Sequence, residues 1–424
     1  MRRALIAIVI LVSRQSAISQ DQAVFVPLGD IPGGGTYSEA WDVSEDGQSV
    51  AGGSVSYGIF GYQAFQWSFE IGLNPLGELG GGIADSRAFG ISGDGRIVVG
   101  NSSSFNGLEG FRWSVETGMV GLGSLSNTFF ESSAAAVSAD GSTIVGYSNS
   151  PQGFQACRWT DTEFVGLGDL GGGPFDSRAL AVSADGAVIV GIGNDATGRK
   201  AVRWEREVLS DLGDLAGGRV LSEAWDVSRD GGVIVGASSS ARSGSNSYEA
   251  FRWTAQGGME ALGDLSGGGY QSIARGVSER GRVIVGWGMT DQGRRAVRWT
   301  PDADEPQRLD EIFAGEFGID LSGWTLLDCT AVSADGRSYA GNGIGPNGGE
   351  AWFVRLPPGR SPGDLNCDGA VNNFDIDAFV LALSDADAYA QTYPGCTVAN
   401  ADVNEDGVVN NFDIDAFVAL LSGG

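Results

Sequence analysis

The chain has 424 residues, 53 acids against 26 Lys and Arg, and a net charge of −27. That balance argues against nucleic acid or an anionic membrane as partner, since both repel a polyanion. The chain has no His, which removes His-based nucleophile systems, His general bases and His-ligated zinc. A carboxylate-pair mechanism stays open. Gly is high at 69 residues and charged residues low at 19%, which suits short strands joined by tight turns.

Residues 1–19 read as a secretory signal peptide. Arg2 and Arg3 supply the positive end, Ala4 to Val12 the apolar core, and Ala17-Ile18-Ser19 a small-residue cleavage site. Nine apolar residues fall short of the about 20 that span a bilayer. The sequence therefore predicts a secreted protein, extracellular or at the cell surface, with no membrane span.

Residues 20–357 carry one unit that recurs seven times. Its anchor is a Ser-x-Asp-Gly turn beginning at Ser44, Ser92, Ser138, Ser183, Ser228, Ser278 and Ser333, with Arg280 replacing Asp in the sixth copy. A β-rich run such as Ile144-Val145-Gly146 follows, then Ala-x-Arg-Trp, then Leu-Gly-Asp-Leu. Each unit thus offers four short strands in roughly 46 residues, the size of a propeller blade. The Asp-Gly pair is a hairpin signal, because Gly tolerates positive φ. The last unit ends at Ala351-Trp352-Phe353-Val354 without its fourth strand, and Val26-Pro27-Leu28-Gly29-Asp30 supplies one from the chain start. Leu309-Asp310-Glu311-Ile312 reads as a degenerate fourth strand of unit six. The expected fold is a mainly β, seven-bladed propeller closed by its N-terminal strand, which leaves no open edge.

These repeats resemble the extracellular HAF repeat family, through V-S-x-D-G, I-V-G, A-x-R-W, L-G-D-L and Gly318-Ile319-Asp320-Leu321-Ser322-Gly323-Trp324. The resemblance implies export and carries no defined activity.

Within the repeats, Cys157 and Cys329 stand in columns otherwise filled by small or apolar core residues, so both read as core fillers of different blades. The Arg column (Arg112, Arg158, Arg203, Arg252, Arg298) is expected to pair across strands with Asp169, Asp214 and Asp264. The turn Asp residues read as turn formers. The loops opposite the Asp-Gly turns are long and rich in aromatics. Tyr37, Phe175 and Tyr270 on that face are the candidate ligand-binding residues, suited to stacking on the sugar rings of an extracellular glycan.

Residues 358–363 read as a linker, and 364–424 as a separate module. From residue 361 onward there are eleven acids and no Lys or Arg. The phrase NNFDIDAF occurs at Asn372–Phe379 and again at Asn410–Phe417. Each copy fits a calcium loop. Asp364, Asn366, Asp368, Ala370, Asn372 and Asp375 take positions 1, 3, 5, 7, 9 and 12 of the first, with Gly369 at the sharp turn. Asp402, Asn404, Asp406, Val408, Asn410 and Asp413 take them in the second, with Gly407 at the turn. Calcium requires six to eight oxygen ligands, which this spacing wraps around one ion. A helix is expected after each loop, with apolar stripes Ile376, Phe379, Val380, Leu383 and Ile414, Phe417, Val418, Leu421 facing one another. The module is therefore two half EF-hands holding two Ca2+ ions.

Those features resemble a type I dockerin. The resemblance implies docking to a cohesin-like or other surface protein through Asn373, Phe374, Asn411 and Phe412, the tenth and eleventh loop positions. In an exported module of this size a Cys367–Cys396 disulfide is expected. Together the readings predict a secreted non-catalytic binding or scaffold protein. The alternatives are a carbohydrate-active enzyme (a glycoside hydrolase or polysaccharide lyase) carried by a dockerin, and a structural surface protein that self-associates.

Overall fold

A computed structural model describes residues 22–55, 61–128, 130–206, 208–244, 247–301, 303, 305–357, 362–367, 371–393, 396–404 and 408–422. The signal segment, and Asp368, Gly369, Ala370, Asp406 and Gly407 of the two loops, lie outside the described residues. The chain divides into two compact units, Val24–Arg355 and one containing Leu356–Gly424.

The first unit is built from the repeat turn outward. In the first repeat β2 (Ser38–Val43), β3 (Ser49–Val55), β4 (Tyr62–Ser68) and β5 (Gly72–Gly77) pair in sequence order, all antiparallel. Between β2 and β3 the Ser44 hydroxyl donates to Asp46 Oδ1 (2.6 Å), and the Gln48 amide donates to the same oxygen (2.9 Å). The Ser49 amide donates to Ser44 Oγ (3.0 Å), and Gly47 takes φ +66°. The turn is closed by its own side chains, as the sequence predicts for Asp as a turn former. Ser138, Asp140 and Ser142 repeat it. Where Arg280 replaces Asp, the segment Glu279–Gly281 becomes a 3₁₀ turn with Arg280 at φ 56°.

Each first strand carries a β-bulge at one fixed place. The register slips between Ala40 and Asp42, so Trp41 is the extra residue. The same slip singles out Phe89, Ala135, Leu180, Trp225, Arg275 and Thr330 in the other repeats. Opposite each bulge stands the Gly of I-V-G. A Cβ on Gly146 would strike the Ser133 carbonyl, and one on Gly286 the Ile273 carbonyl. The bulge therefore explains why this column is glycine.

Five sheets have four strands, and a sixth has eight, formed by two meanders that share the single parallel pair Arg199↔Leu221. Closure by the chain start follows the sequence reading, but the strand lies two residues earlier than Val26–Asp30: β1 (Val24–Pro27) pairs antiparallel with Gly348–Arg355, from Val24↔Arg355 to Pro27↔Trp352. Phe353 of the last unit packs with Phe65 and Trp67 of the first, its ring 5.1 Å from that of Trp67. The Ala40 amide also donates to Asn342 Oδ1 (2.9 Å). The unit is a β-propeller closed on itself.

Two local expectations are overturned. Leu309-Asp310-Glu311-Ile312 is not a strand but the start of α1 (Leu309–Gly315), which buries Leu309, Ile312 and Phe313 on one face. Helical spacing i, i+3, i+4 and two acids in the first turn favour the helix. Only Gln307–Arg308 pairs as the outer strand there. The Arg column does not pair with Asp169, Asp214 and Asp264 either. Arg158 meets Glu163 (3.3 Å) and Arg203 meets Glu205 (2.8 Å), each within its own hairpin. Asp169 and Asp264 instead accept backbone amides, for Asp264 those of Leu265, Gln271 and Met289. They tie an outer strand to the loop that enters the next repeat. Cys157 and Cys329 are buried and unbridged, as expected.

In the second unit, α2 (Ile376–Ser384), α3 (Ala386–Thr392) and α4 (Asp413–Leu421) surround a small core. Phe379 and Phe417 stack in it, 4.1 Å between centroids and 16° from parallel. The expected stripes are split. The buried face of α2 is Ala378, Phe379 and Ala382, so Ile376 and Val380 point to solvent, as do Ile414 and Val418 on α4. The helix α3 was not foreseen. Asp385 caps it, accepting from the Ala388 amide (3.0 Å), and its buried Tyr389 donates to the Leu365 carbonyl (2.8 Å). Cys367 and Cys396 form a disulfide, with Cα atoms 5.8 Å apart.

Candidate functional sites

The first strands of the repeats line an axial channel with two cavities. On the Asp-Gly side is a narrow one of about 110 Å³, lined by Asp42, Asp226 and the x residues of the Ser-x-Asp-Gly turns. Those turns are stitched to one another through their backbones. The Gly93 amide donates to the Ala139 carbonyl, Ala139 to Ala184, Ala184 to Arg229, Glu279 to Ala334, and Ala334 to Glu45 (3.0–3.2 Å). Glu45 and Arg229 form an ion pair at 2.6 Å in the same cavity.

Asp42 and Asp226 occupy the same register position, directly after their bulges. Each accepts the amide of the next residue, from Val43 and Val227 (both 2.8 Å). Each also accepts an amide from the following repeat, from Ile91 (3.0 Å) and Val277 (2.8 Å). Burial raises both carboxyls to about 7 against these lowering bonds, and Asp42 adds to the rise at Asp226. No sequence signal separated these acids from turn formers beyond their shared Trp-Asp-Val-Ser context.

The second cavity, about 260 Å³, lies one residue earlier along the same strands. It is lined by the bulge residues, together with Asn101, Ser133 and Tyr147. Arg275 lies over the Trp225 ring at 4.4 Å, and Trp41 meets Phe89 edge-on at 5.4 Å.

The predicted ligand-face residues sit in equivalent loops of three different repeats, and no contact among the described residues joins them. Tyr37 is 39% exposed and donates to Glu39 (2.8 Å). Tyr270 donates to Glu249 (2.7 Å) and accepts from Arg242 (3.3 Å). Phe175 is half-buried. Burial first, then Glu39, raises the Tyr37 hydroxyl above its usual range, and burial raises that of Tyr270.

In the second unit the two acidic loops are built alike. Asp375 is fully buried and accepts the amides of Leu365 (2.7 Å), Asn366 (3.0 Å) and Asn372 (2.9 Å). Asp413 is fully buried and accepts those of Asn404 (3.1 Å) and Asn410 (2.9 Å). Asn372 and Asn410 each accept the amide two residues on, from Phe374 and Phe412 (both 2.8 Å). Asp364 and Asp402 are buried as well. Among the described residues no group of three or more acidic or Cys side chains stands together as a metal cluster; the fifth position of each loop lies outside them. The donor chemistry nonetheless fits a hard dication. Buried carboxylates sit at both ends of each loop, in a module without Lys or Arg from residue 361 onward. Phe374 (78%) and Phe412 (80%) project into solvent, with Asn373 and Asn411 beside them in the chain.

The first unit is similar in fold to propellers of known structure. Oligogalacturonate lyase from Vibrio parahaemolyticus matches at 11% identity over 80% of this chain and 99% of that one, with a TM-score of 0.49. The propeller domain of the Trilobed protease from Pyrococcus furiosus matches at 12% identity over 76% and 94%, with a TM-score of 0.48. TolB from Acinetobacter baumannii matches at 11% identity over 62% of this chain, with a TM-score of 0.40, and the chain spans 61% of its length. No family model and no curated protein matches the sequence. Among the described residues, no helix is long and apolar enough to cross a membrane.

Proposed function

We propose that the protein is a secreted, non-catalytic binding protein. A seven-bladed propeller of HAF-like repeats presents a face that binds a ligand, such as an extracellular glycan. A dockerin-like module of two half EF-hands, held by two Ca2+ ions, attaches the propeller to a cohesin-like or other surface partner. The observation that carries this reading is the duplicated cradle at Asp375 and Asp413, two buried carboxylates gripped by equivalent loop amides. Asp364, Asn366, Asp368, Ala370, Asn372 and Asp375 would hold one ion, and Asp402, Asn404, Asp406, Val408, Asn410 and Asp413 the other. Counting the eight-stranded sheet as two meanders supports seven blades.

The exposed rings of Phe374 and Phe412, each with an apolar helix face beside it, supply two equivalent docking patches. Either copy would then serve the same partner. Calorimetry on the full chain tests the core of this reading. Two calcium ions should bind per chain, and EGTA should lower the melting temperature of the C-terminal transition. No calcium uptake would sink it.

The enzyme alternative draws on Asp42 and Asp226, raised carboxyls in one cavity. Their four oxygens are spent on backbone amides, and about 110 Å³ is small against the roughly 300–1,000 Å³ of ligand pockets. Incubating the full chain with extracellular polysaccharides separates the readings. Retention without released oligosaccharide supports binding, and release supports catalysis.

A further inference from the structure

The bulge residue varies more widely than the columns on either side of it. It reads Trp41, Phe89, Ala135, Leu180, Trp225, Arg275 and Thr330 around the ring, while the preceding column is Ala in every repeat but the last, which has Cys329. A bulge re-aims one side chain out of the sheet pattern. Here it aims seven side chains of six kinds at one cavity of about 260 Å³. Such a device sets chemistry without disturbing the fold.

Three donors on residues that line the cavity are unmet. Trp41 Nε1, Trp225 Nε1 and Arg275 Nε are buried and make no hydrogen bond. Asn101 Nδ2 donates to Ser133 (3.1 Å), and the Thr330 hydroxyl is spent on the Ala40 and Ala340 carbonyls. Arg275 forms no ion pair of its own. The two acids that raise its basicity are paired with other arginines, Asp328 with Arg294 and Glu223 with Arg199. Burial lowers its basicity, so a bound anion would relieve a standing cost. The overall charge of −27 does not forbid this, because charges beyond about 8 Å are screened at physiological salt.

Two unmet indole donors and a guanidinium that forms no ion pair call for a carboxylate, which accepts two parallel N–H bonds. Trp41, Trp225 and Phe89 supply flat faces suited to the C–H face of a sugar. The volume falls just under the roughly 300–1,000 Å³ of drug-sized pockets and admits about one ring. We infer that this cavity binds a hexuronate, with Arg275 meeting the carboxylate and Trp41 and Trp225 donating to ring oxygens. The inference rests on the propeller being the ligand-bearing part, but Tyr37, Phe175 and Tyr270 do not line this cavity. It therefore stands or falls apart from the outer loop face and from the calcium module.

The test is titration of the full-length protein with glucuronate, glucose and inorganic phosphate, read by calorimetry and tryptophan fluorescence. Glucuronate should bind at least tenfold more tightly than glucose or phosphate. Arg275→Leu should weaken it at least tenfold, and Trp225→Phe, which keeps the ring and removes the donor, severalfold. Should the leucine variant fail to fold, Arg275→Lys with Trp225→Phe gives the same reading, since lysine keeps the charge and loses the fork. Competition by alginate would assign the uronate to polymer ends; competition by free glucuronate alone would assign it to a free acid. Equal affinity for glucose or phosphate, wild-type binding in the Arg275 variants, or no uronate binding would overturn the assignment.

Discussion

Asp42 and Asp226 make the same two bonds four repeats apart, each fastening its strand to the repeat that follows. Their carboxyls rise from 3.8 to about 7 through burial. Both retain some water contact in the channel, which discounts the size of the shift but not its sign. Between those two values the folded chain keeps protons that the unfolded chain has lost, so stability falls as pH rises through the window. The melting temperature of the propeller should be about 2–4 °C higher at pH 5.5 than at pH 8. Asp226→Asn should shrink that difference. An unchanged difference in the variant would assign the pH dependence to other groups.

The turn carboxylates titrate with the opposite sign. Backbone and Ser138 hydrogen bonds hold Asp140 below its ordinary value of 3.8, and the same pattern lowers Asp185. Their contribution is present above that value and is lost as pH falls through the depressed one. Asp140→Ala should destabilise by about 1 kcal/mol or less at pH 7, since the group is exposed. The penalty should shrink as pH falls below the ordinary carboxylate value, measured by urea unfolding at neutral and acid pH.

The bulge glycines admit no side chain. In Gly146→Ala the new methyl meets the Ser133 carbonyl, part of a paired strand that cannot retreat. The expected loss is about 1–3 kcal/mol, seen as a lower urea midpoint with an unchanged slope. Gly171→Ala, where nothing lies within 4 Å, is the matched control and should stay within about 0.5 kcal/mol.

The C-terminal unit should show two separable supports. Removing the Asp413 carboxylate by Asp413→Ala takes the partner from the Asn404 and Asn410 amides and the last ligand from one loop. Calcium stoichiometry should drop from two to one, with Asp375 holding the other. Replacing Cys367 and Cys396 by Ser opens a loop with a sequence separation of 29, worth about 3–4 kcal/mol in the chain-entropy model. Saturating calcium should restore much of that loss, because binding to the folded form is linked to stability.

Much of this architecture was legible because it is local and repeated. The Ser-x-Asp-Gly turn closes through its own side chains, so its letters announce it. The closing strand Val24–Pro27 was legible by subtraction, since the last unit lacked a partner. What escaped was decided by packing. Leu309 begins a helix because Ile312 and Phe313 bury with it, against a repeat pattern that favoured a strand. Tyr389 is held by a carbonyl 24 residues away, which no window contains. The channel residues were hidden for another reason. The repeats put Trp41 and Arg275 in one column, but only the bulge, a slip of one residue against a neighbouring strand, turns that column toward the channel.

The pairing of Val24 with Arg355 also sets a schedule. The strand Val24–Pro27 leaves the ribosome roughly 330 residues before the strand it joins. At roughly 5–20 residues per second, it must wait about 15–65 s for its neighbour to be made. Throughout that interval both ends of the growing ring present unpaired strand edges to every other nascent chain. The vulnerable moment of this protein lies in its biogenesis, and it ends when the circle shuts.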